Sequence, residues 1–80
     1  MRDRHMVYKC LDTKDELLYV GVTSNIKSRM KQHRNNSFWF KDTNKIIAKI
    51  YDTRKEADLA EARIIRKNNP IYNIMGRMRI

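Results

Sequence analysis

A basic pair one helical turn apart is the first feature of this chain that could do chemistry. Arg29 and His33 emerge on one face if their segment is a helix, because positions i and i+4 are neighbours there. The planar donor fork of arginine suits phosphate oxygens, and histidine moves protons near neutral pH. The alternative is an ordinary basic helix face that touches only solvent or a DNA backbone.

Two tyrosines precede this pair, each in a short apolar run. Tyr8 lies within residues 7–11 and Tyr19 within 17–22, and the polar turn between them predicts an antiparallel hairpin. Their hydroxyls can converge if the strand register places both on one face, but sequence does not fix the register. Otherwise each tyrosine is half-buried strand filler. Gly21 indicates a close backbone approach or a bulge.

A single carboxylate lies at the apolar face of the last predicted helix. Glu61 sits on or beside a stripe of small and branched side chains, where a charge is costly unless it is paired, hydrogen-bonded or metal-bound. One carboxylate can hold a hard cation such as Mg²⁺, which keeps most of its waters and also takes phosphate oxygens. The alternative is a rim glutamate paired with an arginine such as Arg29. The stripe consists of Ala57, Ala60, Ile64 and Ile65.

Two helices and a third strand must position these side chains. The first helix is predicted over about 25–34, with Thr23 or Ser24 as its N-cap. A third strand follows at 46–51, and a capping box opening at Thr53 begins the second helix, which ends near residue 67.

The remaining segments complete an α+β fold. The aromatic run 38–40 is predicted to form a short helical turn that fills the core, or else an exposed stacking or dimer surface. Residues 70–73 are predicted to be a short extended return. The order β-β-α-β-α gives a three-stranded, largely antiparallel sheet flanked by helices.

Chain length indicates the number of domains, and net charge indicates the class of partner. Eighty residues make one domain, 1–80, with a core over about 6–74 and basic termini at 1–5 and 75–80. A net charge of +9 favours a polyanionic partner over an anionic membrane surface or simple solubilisation. No Lys-rich amphipathic helix with bulky aromatics supports the membrane alternative.

The cysteine, histidine and apolar content of the chain argues against an intrachain disulfide, a His-rich metal site and a membrane span. Cys10 is the only cysteine, so it forms no intrachain disulfide and is expected to be a small buried apolar residue. Two histidines do not make a His-rich metal site. The chain has no signal peptide and no apolar run of the ~18–20 residues that span a bilayer, so a cytoplasmic location is expected.

The polar positions taken together resemble those of the GIY-YIG nuclease domain family, over about residues 6–74. In that family two short tyrosine motifs open the fold, an arginine and often a histidine follow on the first helix, a glutamate lies on a later helix, and an asparagine lies near the end. Here the first motif reads MVY, with Met6 in place of glycine and the tyrosine retained. The second motif alone is weak, whereas the ordered set is specific. The matching segments are Met6-Val7-Tyr8, Tyr19-Val20-Gly21, Arg29, His33, Glu61 and Pro70-Ile71-Tyr72-Asn73.

The resemblance implies a small stand-alone endonuclease that hydrolyses DNA phosphodiester bonds with one Mg²⁺ or Mn²⁺ ion held by Glu61. A homodimer or larger assembly would supply specificity and double-strand cutting, because one site cuts one strand. The alternative is a non-catalytic nucleic-acid-binding module that keeps the fold. Homing, restriction, repair and phage-encoded degradation of host DNA remain open as biological roles.

The resemblance also implies a role for each side chain. Tyr8 would be the general base and His33 would accept or polarise its proton. Arg29 and Tyr19 would stabilise the phosphoryl oxygens, and Asn73 would orient the metal-binding glutamate or the phosphate. The flanking DNA backbone would be bound by Lys9, Lys27, Lys31, Arg34, Arg77 and Arg79.

Overall fold

The structure, a computed structural model, describes residues 5–73. Arg77 and Arg79, which are predicted to bind DNA, lie outside the described residues together with the segment 75–80 and with residues 1–4 of the N-terminal segment, whereas His5 belongs to the first strand. No helix within residues 5–73 is long and apolar enough to cross a membrane. The elements in order are β1 (His5–Leu11), β2 (Leu17–Thr23), α1 (Ile26–Asn36), a 3₁₀ helix (Phe38–Asp42), β3 (Lys45–Tyr51) and α2 (Arg54–Asn68).

The sheet has the predicted three strands and is fully antiparallel. β1 is the central strand, in the order β2-β1-β3, so that the hairpin forms one side and β3 forms the other. Tyr8 lies opposite Gly21, and Cys10 lies opposite Tyr19. Cross-strand partners share a face and side chains alternate along each strand, so Tyr8 and Tyr19 lie on the same face. The predicted α+β fold in the order β-β-α-β-α is confirmed.

One face of the sheet is covered by α2. Ala57 and Ala60 are buried against Val7 and Val20 of the sheet, and small side chains let the helix approach closely. The helix begins at the predicted cap, because the Thr53 hydroxyl oxygen accepts a hydrogen bond from a backbone N–H in the first turn, at 3.1 Å. It ends at Asn68, and the C-cap residue Asn69 has a φ of 46°, the left-handed conformation common at the ends of helices.

The opposite face is covered by α1 and the 3₁₀ helix. Tyr8 and Cys10 are fully buried there with Trp39, so the prediction of a buried cysteine is confirmed. The N-cap of α1 is Asn25, not Thr23 or Ser24. The Asn25 side chain accepts from the Ser28 N–H, whereas the Thr23 hydroxyl is used in a local turn with Asn25.

The prediction for the aromatic run 38–40 is confirmed, whereas the prediction for the segment after Pro70 is wrong. The run 38–40 forms the predicted helical turn, with Trp39 in the core, while Phe38 is 69% exposed. Residues 71–73 are helical, so the predicted extended return is wrong. Proline is well suited to the start of a helix, because its φ is already near the helical value and its missing N–H would have no partner there. Pro70 therefore suits the start of this helical segment.

Candidate active site

The candidate site is built around the hydroxyl group of Tyr8. The ring of Tyr8 extends from the central strand over Gly21 and is fully buried. A Cβ atom at Gly21 would lie 2.5 Å from the Tyr8 hydroxyl oxygen and 2.7 Å from Cζ. The prediction of a close approach at Gly21 is confirmed, and the register irregularity lies elsewhere, between Cys10 and Leu11.

Two side chains of α1 converge on this hydroxyl group. Arg29 Nε donates a hydrogen bond to the Tyr8 hydroxyl oxygen at 3.0 Å, and His33 Nε2 lies 2.7 Å from the same oxygen. The predicted helical spacing of Arg29 and His33 therefore places both on the face that meets β1. Arg29 Nη1 also donates to Gln32 Oε1 at 3.0 Å, which orients the guanidinium group from the other end.

His33 is enclosed by aromatic rings and held at both nitrogens. Its exposed fraction is 4%, and its ring lies 5.1 Å from that of Tyr19 and 4.9 Å from that of Trp39. His33 Nδ1 lies 2.8 Å from the Ser37 hydroxyl oxygen. Burial, assisted by the nearby positive charge of Arg29, lowers the pKa of His33 to about 4. The imidazole is therefore neutral at pH 7.

Burial also affects the other two groups. It favours the neutral, protonated form of Tyr8 and disfavours the charged, protonated form of Arg29. Desolvation raises the pKa of Tyr8 well above its ordinary value of 10.0, although the hydrogen bond from Arg29 acts in the opposite direction. Burial disfavours a charged Arg29, but its hydrogen bond to Tyr8 and its interaction with Tyr19 outweigh this and raise its pKa. The resting site therefore contains a neutral phenol, a neutral imidazole and a guanidinium cation.

An open pocket gives access to this cluster. It has a volume of about 330 Å³ and combines a cation, amides, a hydroxyl group and aromatic edges, which suits an anionic ligand. The ring of Tyr19 forms part of its wall, stacked on Trp39 at 5.0 Å between centroids and 6.0 Å from the ring of Tyr8. The lining residues are Tyr19, Arg29, Gln32, His33, Asn36, Ser37 and Trp39.

Asn73 is held by the edge of the sheet. Its Oδ1 accepts a hydrogen bond from the Val20 N–H at 2.9 Å, and its Nδ2 donates to the Val20 carbonyl at 2.9 Å. β2 is an edge strand, so these two bonds satisfy backbone groups that no neighbouring strand can reach. The described contacts of Asn73 thus tie the chain after α2 to β2.

Glu61 lies on α2, the helix whose small side chains pack on the face of the sheet opposite to the Tyr8 ring. It is half-buried beside the apolar stripe that packs on Val7 and Val20, as its position in the sequence predicts. The expected convergence of Glu61 with the tyrosines stays a prediction. Among residues 5–73, no group of three or more His, Cys, Asp or Glu side chains is placed to hold a metal ion.

The predicted DNA-binding residues fall on two surfaces. Lys27, Lys31 and Arg34 are exposed on α1 and follow one another at helical spacing along a single row. Lys9 alternates with Tyr8 along β1 and therefore points to the face covered by α2. The α1 row thus lies on the helix that also carries Arg29 and His33, and Lys9 lies on the other face of the sheet.

Two contributors to the site were not predicted. Gln32 follows Arg29 by three positions, and Ser37 follows His33 by four, so both are helix-face neighbours of a predicted residue. That spacing is the signal that could have identified them. Neither residue type indicates chemistry on its own, and only the contacts show that Gln32 and Ser37 hold the arginine and the histidine.

The fold and the site agree with a family comparison. The sequence profile of the GIY-YIG catalytic domain matches residues 4–74, a span that contains Tyr8, Arg29, Glu61 and Asn73. The chain therefore belongs to the GIY-YIG family and has a nuclease fold.

Individual relatives are much longer than this chain. Over 78 residues it is 38% identical to UvrABC system protein C of Acinetobacter baumannii strain SDF and 36% identical to that of Acinetobacter baylyi. It is 33% identical over 78 residues to UvrABC system protein C of Nitrosococcus oceani. Each match covers 89% of this chain but only 13% of the relative.

Proposed function

We propose that this chain is a DNA endonuclease that hydrolyses phosphodiester bonds with the help of a divalent metal ion. Family membership supports a nuclease, and the net charge of +9 supports a polyanionic substrate. The observation that carries the proposal is the Tyr8 hydroxyl group, which lies between Arg29 Nε at 3.0 Å and His33 Nε2 at 2.7 Å. A fully buried tyrosine with a cation and a proton acceptor at its oxygen is arranged for proton transfer.

The proposed first step uses only this cluster. Tyr8 gives its proton to His33 Nε2, and the resulting phenolate is stabilised by the Arg29 guanidinium group. The phenolate takes a proton from the attacking water, while Arg29 and Tyr19 stabilise charge on the phosphoryl oxygens.

The substrate itself assists this transfer. In the free protein the transfer is uphill, because the pKa of Tyr8 is raised and that of His33 is lowered to about 4. A phosphate group in the pocket brings negative charge beside His33, which favours the imidazolium form, while the Arg29 guanidinium group at the Tyr8 oxygen stabilises the phenolate against the same charge. His33 therefore becomes a better proton acceptor when substrate is bound.

Glu61 is the residue that we propose for the metal. A half-buried carboxylate on α2 fits a Mg²⁺ site of the kind that takes one carboxylate and is completed by waters and substrate phosphate. Such an ion supplies Lewis-acid stabilisation of charge at the phosphate and the leaving oxygen. Mn²⁺ would serve the same role.

The substrate is proposed to lie along α1. The exposed row of Lys27, Lys31 and Arg34 belongs to the helix that carries Arg29 and His33, so backbone contacts to this helix would bring DNA close to the pocket. Because relatives are named as protein C of a system, we also propose that a partner assembly or a second copy supplies sequence or structure specificity.

Cleavage of supercoiled plasmid tests the proposal. The 80-residue chain is incubated with plasmid and Mg²⁺ or Mn²⁺, with and without chelator, beside the variant Glu61→Gln and the control Glu56→Gln in the first turn of α2. We expect nicking that requires metal, a loss of at least about 100-fold with Glu61→Gln, and near-normal rates for the control. Cleavage that survives chelation, or a fully active Glu61→Gln, would remove the metal assignment.

The same assay addresses the alternative of a non-catalytic nucleic-acid-binding module. That alternative is favoured by the exposed basic row on α1, which needs no catalysis to bind DNA. A wild-type chain that binds the plasmid but cuts neither strand under any of these conditions would establish it instead.

A further inference from the structure

The hydrogen bonds at Tyr8 favour one position for the proton on the His33 ring. Arg29 Nε can only donate, and it donates to the Tyr8 oxygen. The single phenol proton is then free to point at His33 Nε2, which lies 2.7 Å away. These contacts favour Nε2 as the acceptor, because a proton there would confront Tyr8 with two donors, but they fix the tautomer only together with a partner for the proton on Nδ1.

The neutral imidazole then carries its proton on Nδ1. Burial and the charge of Arg29 keep His33 neutral at pH 7. The Nδ1–H group faces the Ser37 hydroxyl oxygen at 2.8 Å, so Ser37 must accept this hydrogen bond. The Nδ1–H tautomer of His33 therefore needs Ser37 as its acceptor, and the Ser37 hydroxyl oxygen in turn favours this tautomer.

Ser37 is fixed in place by the end of α1. Its backbone N–H donates to the carbonyl of His33 at 2.8 Å, and its own carbonyl accepts from the Phe40 N–H at 3.0 Å. Serine at the N-cap of a helix commonly caps it with its hydroxyl group, yet Ser37 makes no such bond to the 3₁₀ helix that follows. The hydroxyl group is directed at the imidazole instead.

We propose that Ser37 is a positioning residue that holds His33 in the Nδ1–H tautomer, so that Nε2 is the acceptor of the Tyr8 proton. When that proton transfers, the imidazolium retains its Nδ1–H bond to Ser37, and only the proton on Nε2 is new. The catalytic consequence rests on the proposed nuclease function, whereas the tautomer can be tested on the free protein.

The tautomer is tested by NMR on ¹⁵N-labelled protein at pH 7. Two-bond correlations of the imidazole ring distinguish the protonated nitrogen from the bare one. We expect a protonated Nδ1 and a bare Nε2 for His33 in the wild type and in the control Ser28→Ala, which lies on the same helix. In Ser37→Ala the signals should move toward the Nε2–H form, and Ser37→Thr should restore the wild-type pattern.

Single-turnover cleavage provides the second measurement. Hydrogen-bond partners that orient functional imidazoles are worth about 10–100-fold in comparable sites, so we expect a loss of this size for Ser37→Ala and recovery with Ser37→Thr. Failure of the wild type to cut DNA would count against the nuclease function alone, since the tautomer is measured separately.

Either of two NMR results overturns the proposal. One is an Nε2–H tautomer in the wild type, and the other is an unchanged Nδ1–H tautomer in Ser37→Ala. The first needs no variant, so the proposal stays falsifiable even if Ser37→Ala does not fold.

Discussion

At the scale of single residues, the Tyr8 hydroxyl group is the point where the chemistry and the stability of this protein meet. Its hydrogen bonds join β1 to α1 through Arg29 and His33, and the same contacts form the proposed proton path. Buried polar groups of this kind are stabilising only while every partner is in the right protonation state. The site should therefore respond to pH as a unit.

The pH dependence of unfolding tests the buried neutral state of His33. Its pKa is about 4 in the folded protein against 6.5 for an ordinary histidine, so the unfolded chain binds the proton first. The stability from the neutral imidazole is complete above pH 6.5 and is lost as the pH falls toward 4. We expect a loss on the order of 2 kcal/mol in the free energy of unfolding from this residue by pH 4.5.

Urea denaturation at pH 7 and at pH 4.5 measures this loss. His33→Gln keeps a polar side chain and removes the titration, so its stability should change less between the two pH values than that of the wild type. An equal change in both proteins would show that His33 is not held neutral in the folded state.

At the scale of elements, the site depends on how closely the two strands of the hairpin and α1 pack. Gly21 leaves room on β2 for the Tyr8 ring, and Asn73 satisfies the backbone of the same strand at its outer edge. A side chain at Gly21 would therefore act directly on the position of the Tyr8 hydroxyl group.

The substitution Gly21→Ala is predicted to displace Tyr8. The new methyl group would lie 2.5 Å from the Tyr8 oxygen and 2.9 Å from Cε1, which is far inside contact distance. We expect a loss of about 1–3 kcal/mol in the free energy of unfolding, typical of an overpacked core, together with a large fall in cleavage rate.

A double-mutant cycle with Tyr8→Val identifies the cause. Valine suits a strand and ends well short of Gly21, so Gly21→Ala should cost much less in that background. If its cost is the same in both backgrounds, the strain does not come from Tyr8.

Much of this element-scale arrangement could be predicted from sequence. The hairpin, α1 and the capping box of α2 follow from apolar spacing and turn chemistry, and they place Tyr8, Arg29 and His33 near one another. The start at Asn25 was missed because Thr23 and Ser24 are equally good caps, and only the turn made by the Thr23 hydroxyl selects among them. Helix 71–73 was missed because proline both ends and begins helices.

The rest depends on tertiary contacts that carry no local signal. Strand register decides that Tyr8 and Tyr19 share a face, and a shift of one residue would reverse it. The position of Glu61 relative to the tyrosines depends on how α2 crosses the sheet, which its own sequence does not encode. Gln32 and Ser37 are recognised only once their partners are fixed in space.

At the scale of the whole molecule, the charge distribution governs encounter with DNA. The net charge of +9 attracts a polyanion over the whole surface, and the proposed binding surface is the exposed row of α1, the helix that also carries Arg29 and His33. Surface charge elsewhere should contribute less to productive binding.

The salt dependence of DNA binding tests whether the α1 row contributes more to binding than basic residues elsewhere. Replacing Lys27, Lys31 and Arg34 together by glutamine should lower the slope of log K against log[salt] by about 2–3, close to one unit per lost phosphate contact. The control replaces three exposed basic residues of α2, Arg63, Arg66 and Lys67, and removes the same charge. Equal effects from the two triple variants would contradict a binding surface centred on α1.

The central claim is that the Tyr8 hydroxyl group performs proton transfer, and one comparison tests it most directly. Tyr8→Phe removes only that oxygen, while Tyr51→Phe removes a hydroxyl group from the half-buried tyrosine on the face that packs with α2. In single-turnover cleavage with Mg²⁺, we predict a loss of about 10²–10⁴-fold for Tyr8→Phe and near-normal activity for Tyr51→Phe. A folded Tyr8→Phe that cuts DNA at the wild-type rate would contradict the claim.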